Sequence, residues 1–288
     1  MSLAKALKVA LIQFTVTADK AVNLLKVKEK VTEAVSHGAK LVVLPECFNS
    51  PYAVSAFPKY AESIPEGETT QFLSKLARDT NIFLIGGSIP ESRGGKYYNT
   101  NVTFGPTGDV IGQHSKVHLF DIDVPGKIRF IESEILTGGD SGTAVDLPGY
   151  GSVGVGICYD IRFPELALAA TKSHNAFAMV YPGAFNTTTG PLHWNLLARA
   201  RAVDNQVYVL LCSPARDVAH PENYQAFGHS LVVDPWGEVI AEAGEGDEIV
   251  YADLDPEKIN SVRSSIPVLS QRRYDVYPDV SSTSQINK

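Results

Sequence analysis

Three short segments place an acid, an amine and a thiol each just after what reads as a buried strand. In Leu41-Val42-Val43-Leu44-Pro45-Glu46 the proline ends strand pairing, which leaves Glu46 at a strand mouth. His114-Ser115-Lys116-Val117-His118-Leu119-Phe120 carries the amine. Gly154-Val155-Gly156-Ile157-Cys158-Tyr159-Asp160-Ile161-Arg162-Phe163-Pro164-Glu165 reads as a strand that turns sharply into a helix, with Cys158 at the elbow. Amides at a helix N-terminus favour negative charge. The thiol there is therefore expected to titrate below its ordinary value of roughly 8.5, as a nucleophilic thiolate. The same residues equally suit a buried structural cysteine, and the local sequence does not separate the two readings.

Elements that could hold these groups alternate along the chain. Lys8–Phe14 reads as a strand and 19–37 as a helix, with Ala21, Leu24, Leu25, Lys28, Val31, Ala34 and Val35 near one face and Gly38 behind it. Leu41–Leu44 is a buried strand, 69–80 a helix and 82–86 a strand. Tyr98–Phe104 and Asp109–Gln113 flank Gly105-Pro106-Thr107-Gly108, a hairpin signal. Strands are predicted over 153–158, 176–181, 206–212 and 249–254, and helices over 164–172, 191–202 and 256–262. Residues 230–233 and 238–241 bracket Asp234-Pro235-Trp236-Gly237 as a second hairpin, with Trp236 expected to pack. Interleaved strands and helices predict an α/β layered fold with mixed sheets. No linker or repeat divides the chain, so 1–280 reads as one domain and 281–288 as a disordered tail.

The chain has 288 residues and a net charge of -7, which disfavours phosphate backbones as partners. Nucleic acid is not expected. No apolar stretch is long enough for a membrane span, and the strand starting at Lys8 leaves no room for a leader, so a cytoplasmic address is expected. Three cysteines, an odd number without CxxC spacing, fit a reducing compartment. Cys47 is expected to be partly exposed and oxidisable, and Cys212 to be core. Gly139-Asp140-Ser141-Gly142 matches the run around a trypsin-like nucleophile, but without an all-β pattern it reads as a turn. His114 and His118, four apart, fall on strand and loop rather than on a helix, so no metal and no cofactor are expected.

Glu46, Lys116 and Cys158, in that order and with flanks Leu-Pro-Glu, Lys-Val-His-Leu and Gly-Ile-Cys-Tyr-Asp-Ile-Arg-Phe-Pro-Glu, resemble the nitrilase (carbon–nitrogen hydrolase) superfamily from Lys8 to about Tyr277. The resemblance implies a four-layer α-β-β-α sandwich, paired as a homodimer through the helix from Pro164 and the C-terminal region. It also implies roles: Glu46 as general base, Cys158 as the nucleophile that forms a thioester, and Lys116 with the Tyr159 N–H as oxyanion donors. A second glutamate would hold Lys116 or orient the amide; by position it is Glu132, with Glu134 close by. Glu46-Cys47-Phe48-Asn49-Ser50-Pro51-Tyr52, the segment 118–127, Tyr181–Pro191 and Arg201–Tyr208 resemble the omega-amidase branch. That branch hydrolyses the small-molecule 2-oxo acid amides 2-oxoglutaramate and 2-oxosuccinamate. The deaminated-glutathione amidase branch and nitrile hydrolases are the alternatives. A dicarboxylate-like substrate needs a cation, for which Arg162 is the candidate unless it pairs with Asp160 or Glu165. Tyr52 and Phe185 are candidate pocket walls, or else core.

Overall fold

Strands that are apolar at nearly every position must be covered on both faces, and the layering follows from that need. The computed structural model describes residues 3–124 and 128–276. The tail 281–288 lies outside the described residues. The strands are β1 (Leu7–Gln13), β2 (Leu41–Val43), β3 (Phe83–Ile85), β4 (Ile89–Arg93), β5 (Lys96–Phe104), β6 (Val110–Ser115), β7 (Asp121–Val124), β8 (Ile128–Ile131), β9 (Thr143–Leu147), β10 (Gly151–Val155), β11 (Ala178–Pro182), β12 (Tyr208–Cys212), β13 (Leu231–Val233), β14 (Val239–Glu242) and β15 (Glu248–Leu254). The helices are α1 (Lys20–Ser36), α2 (Phe57–Tyr60), α3 (Glu68–Thr80), α4 (Pro164–His174), α5 (Gly190–Asn205), α6 (Pro256–Ser265) and α7 (Val268–Gln271).

One sheet runs β15-β1-β2-β3-β5-β4, with β6 also paired to β5, and the other runs β14-β13-β12-β11-β10-β9. Each has a parallel centre, β1-β2-β3 or β10-β11-β12, flanked by antiparallel strands. Side chains alternate between faces. Val9, Leu11, Val43 and Ile85 meet Val155, Val180, Leu210 and Val232 in a core between the sheets. Ala10, Ile12, Val42 and Leu84 pack with residues of α1 and α3, among them Val27 and Leu73. Met179, Tyr181, Val209 and Leu211 pack with Ala167 and Ala170 of α4 and Trp194 and Ala198 of α5. The layers are α-β-β-α, as expected.

Three local readings are corrected. The buried face of α1 is Asn23, Leu24, Val27, Val31 and Ala34, whereas Leu25 is 57% exposed and Lys28 is also exposed. Asn23 turns inward because its side chain accepts from the Thr17 N–H (2.9 Å) and donates to the Thr17 carbonyl (2.8 Å). Trp236, expected to pack, sits at a hairpin tip and is 43% exposed. β10 stops at Val155, and a 3-10 turn over Cys158–Arg162 intervenes before α4 begins at Pro164. Cys158 has φ +47°, which a strand residue cannot adopt, so the elbow is built in two steps. Among the described residues no helix is long and apolar enough to cross a membrane.

Candidate active site

Glu46, Lys116 and Cys158 each follow the end of a strand: β2, β6 and β10. β2 and β10 are parallel strands from different sheets, so carboxylate and sulfur approach across the seam between the sheets. Carboxyl ends of parallel strands are where open α/β sheets hold their sites. The Glu46 loop is anchored from below by the turn after β3. The Leu44 N–H donates to the Ile85 carbonyl (3.0 Å) and the Cys47 N–H to Ser88 Oγ (3.1 Å). Gly87, at φ +58°, permits this approach, because a Cβ there would lie 2.1 Å from the Pro45 carbonyl oxygen. Cys47, expected to be partly exposed, is 1% exposed with φ +49°, because the strand-end turn tucks it against Phe57 and Leu136.

The three groups converge on a buried centre. Lys116 Nζ donates to Glu46 Oε1 (3.1 Å) and to Glu132 Oε1 (2.9 Å), and all three side chains are excluded from solvent. Glu132, not Glu134, is therefore the second glutamate at the lysine; Glu134 is exposed and pairs with Arg129. Glu132 Oε2 accepts from the Phe120 N–H (2.7 Å). Glu46 Oε1 also accepts from Asn99 Nδ2 (2.8 Å), and its Oε2 accepts from the Ala184 N–H (2.8 Å). Ala184 follows Gly183, where a Cβ would come 3.1 Å from the Cα of Cys158, so this segment runs from the sulfur to the carboxylate.

Titration follows from burial and charge. Burial works against the Lys116 ammonium, but Glu132 and Glu46 outweigh it and hold the amine well above its usual pKa. Burial raises Glu132 against the opposing pull of Lys116. Burial, then the charge of Glu46, pushes the Cys158 thiol well up, with Lys116 pulling the other way. This corrects the expectation of a depressed thiol. The sulfur sits buried on a short 3-10 turn instead of at the open N-terminus of α4. The resting sulfur keeps its proton at neutral pH, and a nucleophile must be made by transferring that proton to a base alongside.

Cys158 lines a narrow pocket walled by Phe120, Tyr159, Arg162, Ala184, Phe185, Thr189 and Tyr224. Arg162 does not pair with Asp160 or Glu165. Its guanidinium lies 4.9 Å from the Phe185 ring centroid and 5.5 Å from that of Tyr159, with Nη1 3.2 Å from His193 Nδ1. Its buried Nε has no hydrogen-bond partner among the described residues. A cation held by ring faces, with a donor unspent, suits an anionic ligand group. Tyr52 donates to Glu132 Oε1 (3.3 Å) and stacks on Phe130 (5.3 Å between centroids). Phe185 is 4% exposed and lines the pocket. Every candidate residue from the sequence thus reaches this one region.

Sequence reasoning missed Asn99, Phe120, Asp160 and Tyr224. Tyr224 donates to the Ala184 carbonyl (2.5 Å) and forms part of the pocket wall. Asn99 had a signal: β5 carries Asn99, Thr100, Asn101 and Thr103 fully buried, and polar side chains in a strand interior must be serving partners. His114 and His118 lie on strand and loop, as expected, and both face Asp160. Among the described residues no group of three His, Cys, Asp or Glu could hold a metal ion. Gly139–Gly142 is an exposed loop, and Cys212 is core.

Comparison with known proteins places this geometry in context. The family described as Carbon-nitrogen hydrolase matches residues 8–264. Omega-amidase NIT3 of Saccharomyces cerevisiae is 54% identical over 97% of this chain and 98% of its own. Omega-amidase NIT2 of Xenopus tropicalis is 55% identical over 94% of this chain and 96% of its own. The crystal structure of Saccharomyces cerevisiae Nit3, a member of branch 10 of the nitrilase superfamily, superposes with a TM-score of 0.87 at 50% identity, covering 95% of this chain and 99% of that one.

Proposed function

The chain belongs to the carbon–nitrogen hydrolase family, and we propose that it is an omega-amidase whose nucleophile is Cys158. It hydrolyses the terminal carboxamide of 2-oxoglutaramate and 2-oxosuccinamate, releasing ammonia and 2-oxoglutarate or oxaloacetate. The observation that carries the reading is the convergence of Glu46 and Glu132 on Lys116, with Cys158 lining a pocket beside Arg162 and Phe185.

The chemistry follows from that geometry. As the sulfur attacks the carboxamide carbon, Glu46 takes the thiol proton, which burial had kept in place. The carbonyl oxygen becomes an oxyanion facing Lys116 Nζ and the Tyr159 N–H. A preorganised donor of this kind lowers the barrier by about 3–4 kcal/mol. Collapse breaks the C–N bond, Glu46 returns the proton to the leaving nitrogen, and ammonia departs from a thioester. Glu46 then takes a proton from water, which attacks the thioester and frees the acid and the thiol. Glu132 keeps Lys116 charged and aimed throughout, and Arg162 takes the far carboxylate of the substrate between the Tyr159 and Phe185 rings.

Other features support the rest of the reading. A core shared by both sheets favours one carbon–nitrogen hydrolase domain over 1–280. Three free cysteines fit a reducing, cytoplasmic setting. On α5, Leu192, Leu196 and Val203 are 67%, 62% and 50% exposed, an apolar stripe beside α4 that suits a homodimer. The deciding experiment compares ammonia release from 2-oxoglutaramate and from deaminated glutathione, for the wild type and Cys158→Ala. Preference for 2-oxoglutaramate, abolished by the substitution, is expected. Preference for deaminated glutathione moves the enzyme to the neighbouring branch, and an active Cys158→Ala ends the thioester scheme.

A further inference from the structure

Lys116 and Cys158 come from different sheets, yet an oxyanion must fall within hydrogen-bond reach of one while bonded to the other. Misplacement by about 1 Å costs such a centre about a hundredfold in rate. Something must fix the lysine relative to the sulfur, and Asp160 is placed to do so.

Asp160 is 0% exposed and stands two residues beyond Cys158. Its Oδ2 accepts from the Ile157 N–H (2.9 Å), which closes the 3-10 turn carrying the thiol. A carboxylate serving only as a turn cap would need no other partner. Asp160 has three more. Oδ2 also accepts from His114 Nε2 (3.1 Å), and Oδ1 accepts from both the backbone N–H of His118 (2.9 Å) and its Nδ1 (2.7 Å). His114 and His118 are the residues two before and two after Lys116. One buried carboxylate, second neighbour to the sulfur, thus holds both second neighbours of the ammonium.

Each imidazole is held in turn. An ionised carboxylate only accepts, so His114 presents Nε2–H to it and leaves Nδ1 to pair with the Thr143 hydroxyl (3.0 Å). His118 lies flat on the Phe163 ring, 3.6 Å between centroids at 8°. Phe163 immediately precedes α4, so the stack ties the lysine segment to the far end of the same elbow. Asp160 itself is not among the residues that wall the pocket around Cys158.

We propose that His114, Asp160 and His118 form a clasp that sets the spacing between the Lys116 ammonium and the Cys158 sulfur, acting on turnover and not on substrate binding. These are positioning residues, and the proposal rests on the assignment of Lys116 and Cys158 given above.

The test uses paired substitutions at His118 in the full-length enzyme. An asparagine carboxamide nitrogen can stand where Nδ1 stands, so His118→Asn keeps the donor to Asp160. His118→Phe keeps the stack on Phe163 and loses the donor. With 2-oxoglutaramate, or deaminated glutathione should that be the better substrate, kcat of His118→Phe is expected to fall about 30-fold or more with KM changed less than about threefold. His118→Asn should recover most of that loss. Asp160→Asn, which turns an amide N–H toward one of four donors, should fall further in kcat. Equal activity of the two His118 variants, or a loss confined to KM, overturns the clasp. If Asp160→Asn does not fold, the His118 pair still decides. Cys158→Ala is assayed alongside: turnover surviving there overturns the nucleophile assignment, and the clasp with it, whatever the His118 pair shows.

Discussion

Around the sulfur of Cys158, a carboxylate and an ammonium pull titration in opposite directions. Burial and Glu46 raise the thiol, and Lys116 lowers it. Glu46→Gln removes one upward push and leaves the downward pull, so its Cys158 should lose a proton at lower pH than in the wild type. Iodoacetamide labelling of Cys158, followed by mass spectrometry over a pH series, should show the curve displaced to lower pH while amide turnover is lost. An upward shift or none would take Glu46 away from the sulfur. Lys116→Met leaves Glu46 and Glu132 facing each other without a cation in a buried site. Breaking a buried ion pair in this way destabilises by about 3–5 kcal/mol, which urea unfolding at neutral pH would read. Protonation of one carboxylate would relieve the repulsion, so the deficit should shrink in acid. Arg162→Met should raise KM for 2-oxoglutaramate about tenfold or more, the loss of about 1.4 kcal/mol of carboxylate binding, with kcat little changed. An unchanged KM would remove Arg162 from the substrate.

The loop after β2 depends on a residue that never touches substrate. Gly87 lies at φ +58° with the Pro45 carbonyl where a Cβ would be. Gly87→Ala should cost about 1–3 kcal/mol in backbone strain alone, and should lower kcat by tilting Glu46. A urea midpoint and kcat equal to wild type would show that the turn relaxes freely. The elements legible in the sequence share one property: β1, β2, β11 and β12 lie in sheet interiors and read as apolar runs because both faces are covered. The elements not foreseen are peripheral. β4 ends its sheet and contains Pro90, which a central strand would not tolerate. β9 is the opposite sheet's edge, and β7 with β8 forms a small sheet apart, with Asp121 and Asp123 in its first strand. The same logic divides the site. Glu46 and Cys158 announce themselves because each closes an apolar run, and Lys116 through its Lys-Val-His-Leu flank. Asn99, Asp160 and Tyr224 act through neighbours that only the folded topology supplies. The thiol's titration is not legible in the sequence because the 3-10 turn between β10 and α4 leaves no signature there.

At the scale of the whole enzyme, the outer face of α5 exposes Leu192, Leu196 and Val203. If two copies meet there, Leu196→Asp places a charge in an apolar contact and should convert a dimer into monomers in sedimentation velocity at micromolar concentration. A dimer that persists unchanged would mean that another face is used. Within one copy, the reacting groups straddle the seam between the sheets, and β15 pairs along the whole of β1. The centre is therefore expected to depend on the two sheets staying in register, with β15 returned to the first strand. As denaturant is added, turnover should fail while the helices are still intact by circular dichroism, because a slip between the two halves silences the enzyme well before either half comes apart.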